Sequence, residues 1–431
     1  MKLRPISKIS IGILLITVAF FGSAQAPAAL KSSAITPILK SAASSKALAN
    51  PGMVLIDPVT GETLFENSAN SLRKPASLLK LLSATALLNY LSPEYRFVTE
   101  LYKGYEPNSL IIAGSLDPWM ERNNSVATKM NRVSLPKIYK AALKKLDADN
   151  GAPVKSITIS YANFYTADLA ILIKEFKSRD IKVTTTKISS KEVGIFGKES
   201  FAKFESPKLQ AIMDWMLLWS DNTLGDRMAT YASMKAGYGY QLSGIEKVFK
   251  DTLTNLGIDS TGLNAVDGSG LSKSNRVSAN LIGQLLLKTY RNEKYQSIYG
   301  GLPIGGVNGT MRSRFIESAP SAVGLVRAKT GTLNGTISMA GYVQGGDREY
   351  IFVAIADQIP RGTYAAKAAR QSLDKVIAKF AIPLIAPSPG PEVSPSPSSS
   401  LSSSLSASPS PTALAVGENL NGTSVASNPS S

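Results

Sequence analysis

Short runs of apolar residues bounded by turn residues stand near both ends of this chain, and helical stripes fill the stretch between them. Met53 to Ile56 and Thr63 to Glu66 flank Asp57-Pro58-Val59-Thr60-Gly61, a pattern that predicts a hairpin. Ser77 to Leu91, introduced by Pro75, carries Leu and Ala on nearly every side, as a buried helix does. From about Arg96 to Glu205 the texture changes: lysine-rich helical stretches alternate with short strands such as Ser109 to Ala113 and Ser156 to Ser160. This stretch reads as a smaller inserted domain. Pro207 to Lys235 is helical again. Val323 to Lys329, Ile337 to Val343 and Tyr350 to Ala356 then read as three successive strands, and Asn334-Gly335 between the first two is a strong hairpin signal. A last helix is expected from Tyr364 to Phe380. The sum is an α+β fold, one antiparallel sheet covered by helices, with the larger portion at 49–95 and 206–385 and the insertion at 96–205.

The ends have their own patterns. Lys2, Arg4 and Lys8 precede an apolar run from Ile9 to Gly22, and Ala24-Gln25-Ala26 follows with small residues where a signal peptidase reads. The run is about 14 residues long, short of the ~20 that span a bilayer, so an export signal cleaved after about Ala26 is expected rather than an anchor. Residues 27–48, rich in Ala, Ser and Lys, are expected to be a linker. Beyond Ala386 the chain is mostly Pro, Ser and small residues, with Glu392 and Glu418 as its only charges, a composition that predicts a disordered tail.

Composition narrows the chemistry. The 431 residues hold 47 Lys and Arg against 31 Asp and Glu, a net charge of +16, which favours polyanionic surroundings. Export turns that preference from nucleic acid toward a cell wall or membrane surface. There is no Cys and no His. Disulfides and a cysteine nucleophile are excluded, a zinc site loses its two commonest ligand types, and no cofactor is implied. A serine hydrolase built from this chain needs a proton acceptor other than histidine.

Three short motifs supply one. Ser77-Leu78-Leu79-Lys80 places a hydroxyl and an amine three residues apart on a helix, where their side chains share a face. Burial in that apolar helix disfavours the ammonium form, so Lys80 can take the Ser77 proton. Ser220-Asp221-Asn222 offers a hydroxyl to relay a proton to the leaving amine and an amide to hold a substrate carbonyl and steady Lys80, with Asp221 tying the turn. Lys329-Thr330-Gly331-Thr332 ends a strand whose edge can pair with an extended peptide. Lys329 and Thr330 give a cation and a hydroxyl for a terminal carboxylate, and Gly331 gives close backbone approach for substrate. The N–H groups of Thr332 and Ser77 can form an oxyanion hole. Each motif alone also reads as an ordinary cap, turn or strand-end lysine. The three in this order are the set found in penicillin-binding proteins and serine β-lactamases.

The chain resembles the class C low-molecular-weight penicillin-binding proteins, the D-alanyl-D-alanine carboxypeptidase/endopeptidase group. The likeness extends to Lys74 through Leu82, Gly114-Ser115-Leu116-Asp117-Pro118, Asp267 through Ser278, and Leu302 through Met311. It implies the penicillin-recognising serine transpeptidase-like fold, with Ser77 as nucleophile, Lys80 as base, Ser220 and Asn222 in the relay and substrate grip, and Lys329, Thr330, Gly331 and Thr332 on the carboxylate and oxyanion side. The implied partners are peptidoglycan stem peptides, with β-lactams as covalent inhibitors. The chain departs from the group in a shorter stretch between Lys80 and Ser220, in Gly225-Asp226 where Ala-Glu is frequent, and in Lys273 where Arg is common. Asp267 and Arg276 are assigned to bracing their loop. The same motifs allow two rival functions. One is a serine β-lactamase, for which no clear E-x-x-x-N deacylation element stands in the chain. The other is a non-catalytic wall-binding protein on the same fold.

Overall fold

The computed structural model describes residues 32–383, with side chains from Ala34 onward. The expected leader and tail lie outside the described residues. Ten strands follow in chain order: β1 Gly52–Ile56, β2 Thr63–Asn67, β3 Arg96–Gly104, β4 Ser109–Gly114, β5 Ser156–Ala162, β6 Lys182–Lys187, β7 Gly197–Lys208, β8 Val326–Leu333, β9 Thr336–Gln344 and β10 Glu349–Ala356. They form two five-stranded sheets, ordered β2-β1-β10-β9-β8 and β6-β5-β4-β3-β7.

The first sheet is antiparallel throughout, as expected. Its central strands are buried on both faces, which is why they appear in the sequence as unbroken apolar runs rather than alternating ones. Val54, Ile56, Ala340, Tyr342, Ile351, Val353 and Ile355 face one helical layer, and that layer includes the helix Leu79–Leu88. Met53, Leu55, Ile337, Met339, Phe352, Ala354 and Ala356 face the other.

That second layer corrects one expectation. Residues 27–48 are not all linker: Ser32–Ala43 is a helix, and Ile35, Leu39 and Ala42 pack beside Ala369, Leu373 and Ile377 of the helix Thr363–Ala378. The apolar stripe recurs every three or four residues, so a helix buries it where a linker leaves it in water.

The second sheet occupies the stretch read as an insertion, and it is mixed rather than antiparallel. β4, β5 and β6 run parallel, joined by the crossover helices Leu135–Asn150 and Thr166–Lys177, while β3 pairs antiparallel with β4 and β7. Parallel neighbours need such long crossovers. Its core is separate, built from Leu101, Leu110, Ile112, Ile157 and Ile159 against Ile138, Leu169, Leu172 and Phe176. Among the described residues no helix is long and apolar enough to cross a membrane.

Candidate active site

The nucleophile candidate sits on a strained turn. Ser77 lies in a 3-10 turn, Ala76–Leu78, directly ahead of the helix Leu79–Leu88, whose ten residues are all buried. Ala76 has φ +50°, a left-handed conformation that non-glycine residues rarely adopt. Its neighbours hold it there. Arg73 and Val277 exchange backbone hydrogen bonds of 2.8 and 3.0 Å, and the Arg73 guanidinium pairs with Asp357 at 3.0 Å. Gly270, at φ +81°, lies so close that a Cβ there meets the Ala76 carbonyl at 1.8 Å.

Lys80 is completely buried, and its ammonium nitrogen has three partners. Nζ donates to Ser77 Oγ at 3.0 Å, Asn222 Oδ1 at 2.8 Å and the Ser269 carbonyl at 2.6 Å. Burial lowers its pKa from 10.5 to about 8, against the opposing pull of Asp226, Asp221 and Asp267. Ser269 is the partner that sequence reasoning missed, because the backbone carbonyl does the work and leaves no trace in residue type. The loop that carries it is clamped by two carboxylates. Asp226 accepts from the N–H groups of Gly268 and Ser269 at 3.0 and 2.8 Å. Asp267 accepts from Gly270 N, Ser272 N and Asn275 Nδ2, which is the bracing role assigned to it. The departure Gly225-Asp226 thereby has a local reason: a Cβ on Gly225 stands 3.0 Å from Ser269 Cα and 3.2 Å from Lys80 Cε.

Ser220 stands with Asp221 between two helices. The first, Leu209–Trp219, ends on it in a left-handed conformation, φ +61° and ψ +41°, and the second, Asn222–Lys235, begins after Asp221. Asp221 Oδ1 accepts the Leu224 N–H at 3.0 Å and caps the second helix, so it ties the turn and leaves Ser220 and Asn222 to the site.

The third motif ends β8, an edge strand of the first sheet. Along its outer edge, Ala328 N donates to the Pro303 carbonyl at 2.9 Å and Gly305 N to the Val326 carbonyl at 2.8 Å. Even-numbered residues therefore turn their backbone groups outward. The same alternation points the N–H groups of Thr330 and Thr332 to the uncovered end of the edge. The Leu302–Met311 segment thus closes one half of the edge, and it also brings Thr310 Oγ1 within 2.9 Å of Thr330 Oγ1.

Two residues of this motif differ from expectation. Lys329 is fully buried, and its Nζ donates to Ser220 Oγ at 2.8 Å and the Thr330 carbonyl at 2.9 Å, behind the wall of the site rather than on it. Burial first, then the charge of Lys80, hold its pKa well below the ordinary lysine value. The like-charge effect thus falls on Lys329, whereas burial alone lowers Lys80. Gly331 makes room for the protein itself: a Cβ there meets Ser338 Oγ at 2.2 Å and the Pro75 carbonyl at 2.9 Å. Ser338 Oγ in turn donates to that carbonyl at 2.7 Å, pinning the nucleophile turn to β9.

Ser77, Ser220, Asn222, Thr330 and Thr332 line one cavity of about 400 Å³, with Thr310, Ser313, Arg314 and Arg370 completing its wall. A serine paired with a buried lysine, a second serine–lysine pair across the same cavity and an open strand edge define a penicillin-recognising serine enzyme. The chain belongs to the D-Ala-D-Ala carboxypeptidase 3 (S13) family, whose model matches residues 37–146 and 148–380. This places it among the class C low-molecular-weight penicillin-binding proteins. It is 26% identical to carboxypeptidase DacB of Mycolicibacterium smegmatis over 362 residues, covering 72% of this chain and 78% of the relative. It is 33% identical over 160 residues to the D-alanyl-D-alanine carboxypeptidase of Actinomadura sp. (strain R39), covering 36% of this chain and 29% of that protein. Penicillin binding protein 4 from Haemophilus influenzae shares the fold, with a TM-score of 0.61 and 17% identity over 81% of this chain and 98% of that one.

Proposed function

We propose that this enzyme, a serine-type D-Ala-D-Ala carboxypeptidase, removes the terminal D-alanine from peptidoglycan stem peptides through an acyl-enzyme on Ser77. One observation carries the reading: the Lys80 amine, buried and with a lowered pKa, lies 3.0 Å from Ser77 Oγ. Neutral Lys80 takes the hydroxyl proton as Oγ attacks the carbonyl between the two D-alanines. The oxyanion forms between the N–H groups of Ser77 and Thr332. Ser220, which accepts a hydrogen bond from Lys329, relays the proton from protonated Lys80 to the departing amine, and this returns Lys80 to its neutral form. Water then hydrolyses the ester and Lys80 again accepts the proton. A β-lactam, which mimics the dipeptide, acylates the same serine.

Asn222 holds the substrate's peptide carbonyl and steadies Lys80, and the peptide lies along the open end of β8 as an added strand. The leader at residues 1–26 exports the chain to the wall, where a positive surface suits anionic polymers. Residues 96–205, with their own core, form an inserted domain. Cutting a D-alanyl cross-link between two stems uses the same atoms, and a structural relative of this fold is a peptidoglycan endopeptidase from Bdellovibrio bacteriovorus.

The test is to incubate the purified protein with stem pentapeptides and cross-linked dimers and weigh the products. Release of D-alanine from pentapeptide is expected, with covalent labelling by a fluorescent penicillin that is lost in Ser77→Ala. Dimer splitting adds endopeptidase activity. Rapid turnover of the penicillin without peptide cleavage, or labelling undiminished in the variant, overturns the reading.

A further inference from the structure

A substrate ending in a carboxylate needs a cation on the leaving-group side of the site, and the cation that the motif suggested is already engaged. Lys329 has no exposed surface and donates to Ser220 and to the Thr330 carbonyl. Two arginines do line the cavity, Arg314 and Arg370. Arg314 is spent on Asp374: Nε donates to both carboxylate oxygens at 3.0 Å and Nη2 donates to Oδ1 as well. Buried ion pairs of this kind are internally neutralised and do not release a charge to a ligand.

Arg370 is placed differently. It projects from the helix Thr363–Ala378, is half-buried, and its Nη2 donates to Thr332 Oγ1 at 3.3 Å. It also lines a neighbouring cavity of about 470 Å³ that runs from Thr332 along the β8–β9 turn. Its charge therefore stands beside the Thr332 hydroxyl, on the wall of the cavity that Ser77 and Ser220 also line.

We propose that Arg370, with the hydroxyls of Thr330 and Thr332, binds the carboxylate carried by the leaving D-amino acid and so sets the enzyme's preference for acids over amides. The inference rests on the acyl-transfer reading above and deepens it. It separates two duties that the motif alone would give to one residue. Lys80 moves protons and gains from weak protonation while Lys329 holds Ser220, whereas a guanidinium stays charged across the working pH range and keeps the anchor constant.

The experiment compares an acetylated tripeptide ending in D-Ala-D-Ala with its C-terminal amide. The readout is the ratio of the two kcat/KM values. Wild type should favour the acid, and Arg370→Gln should lower kcat/KM for the acid by about 10- to 100-fold, the range for hydrogen bonds to charged groups, with little change for the amide. Arg370→Lys should recover part of the ratio. A second measurement needs no variant: the wild-type ratio should hold steady from pH 6 to 9, because an arginine anchor does not titrate there and both substrates share the same base. A ratio that Arg370→Gln leaves at the wild-type value, including through equal losses on both substrates, overturns the proposal, as does a wild-type ratio that falls with rising pH. If wild type cleaves neither peptide, it is the acyl-transfer reading that fails.

Discussion

The two five-stranded sheets treat their edges in opposite ways. In the first sheet, β8 is half covered by the Pro303–Gly305 backbone, and its uncovered end looks into a cavity backed by two buried lysines. In the second, β6 is an edge with almost every residue exposed, and it bears Lys182, Lys187 and three threonines. Both edges offer unpaired backbone groups, the raw material for strand addition. Only one opens onto a cavity. At β8 the charges stand behind the edge, buried, and leave the uncovered backbone clear of cations. At β6 they stand on the edge in water, where lysines hinder another strand from pairing. An edge becomes a site through what packs behind it.

The sharpest way to break the comparison is to fix the titrating charge behind β8. Lys80→Arg replaces a base with a guanidinium that stays protonated, and acylation by a chromogenic β-lactam should fall by about 10²- to 10⁴-fold. The wild-type rate should rise with pH through about 8 and level off above, since burial lowers Lys80 and the neutral amine is the reactive form. The chain has no histidine to add a separate step near ~6.5. Stopped-flow rates from pH 5 to 10 test both parts. An arginine variant with the wild-type rate excludes Lys80 as the base.

How much of this was legible in the sequence follows the same division. The clustering of Ser77, Lys80, Ser220 and Asn222 was readable because these side chains stand at helix and turn spacing. Asn334-Gly335 was readable because a tight turn constrains residue type. Ser269 was not, since it acts through a carbonyl that every residue has. Arg370 was not, because a cation on an amphipathic helix looks like any solvated arginine until the fold sets it beside Thr332. β3 and β7 were lost in the lysine-rich texture because half-exposed strands alternate with polar residues. The helix Ser32–Ala43 was hidden by its small and polar positions, although Ile35, Leu39 and Ala42 carried the stripe.

A second, smaller perturbation reaches the site through the loop behind it. Gly270→Ala adds a methyl against the Ala76 carbonyl at a residue with φ +81°. Left-handed strain and overpacking together should cost about 2–5 kcal/mol of stability. The turn that carries Ser77 should shift with it, so penicillin labelling should slow more than the loss of folded protein explains. Denaturant melts and labelling rates on the same samples separate the two effects. A variant of wild-type stability shows that the loop and turn are looser than this packing describes.

The smallest effect belongs to the other edge and tests what its lysines do. Lys182 and Lys187 are exposed, so replacing both with Thr should change stability by no more than about 0.5 kcal/mol and leave acylation unchanged. What should change is association. The double variant presents a strand of β-branched residues with its charges removed, and such edges pair with one another. Sedimentation at rising protein concentration should show self-association beyond that of wild type, while a charge-retaining Lys182→Arg, Lys187→Arg control should match wild type. If the threonine variant stays as dispersed as wild type, charge is not what keeps β6 unpaired, and the contrast between the two edges would then rest on the shape of the second sheet, its twist and its parallel register, rather than on where its cations stand.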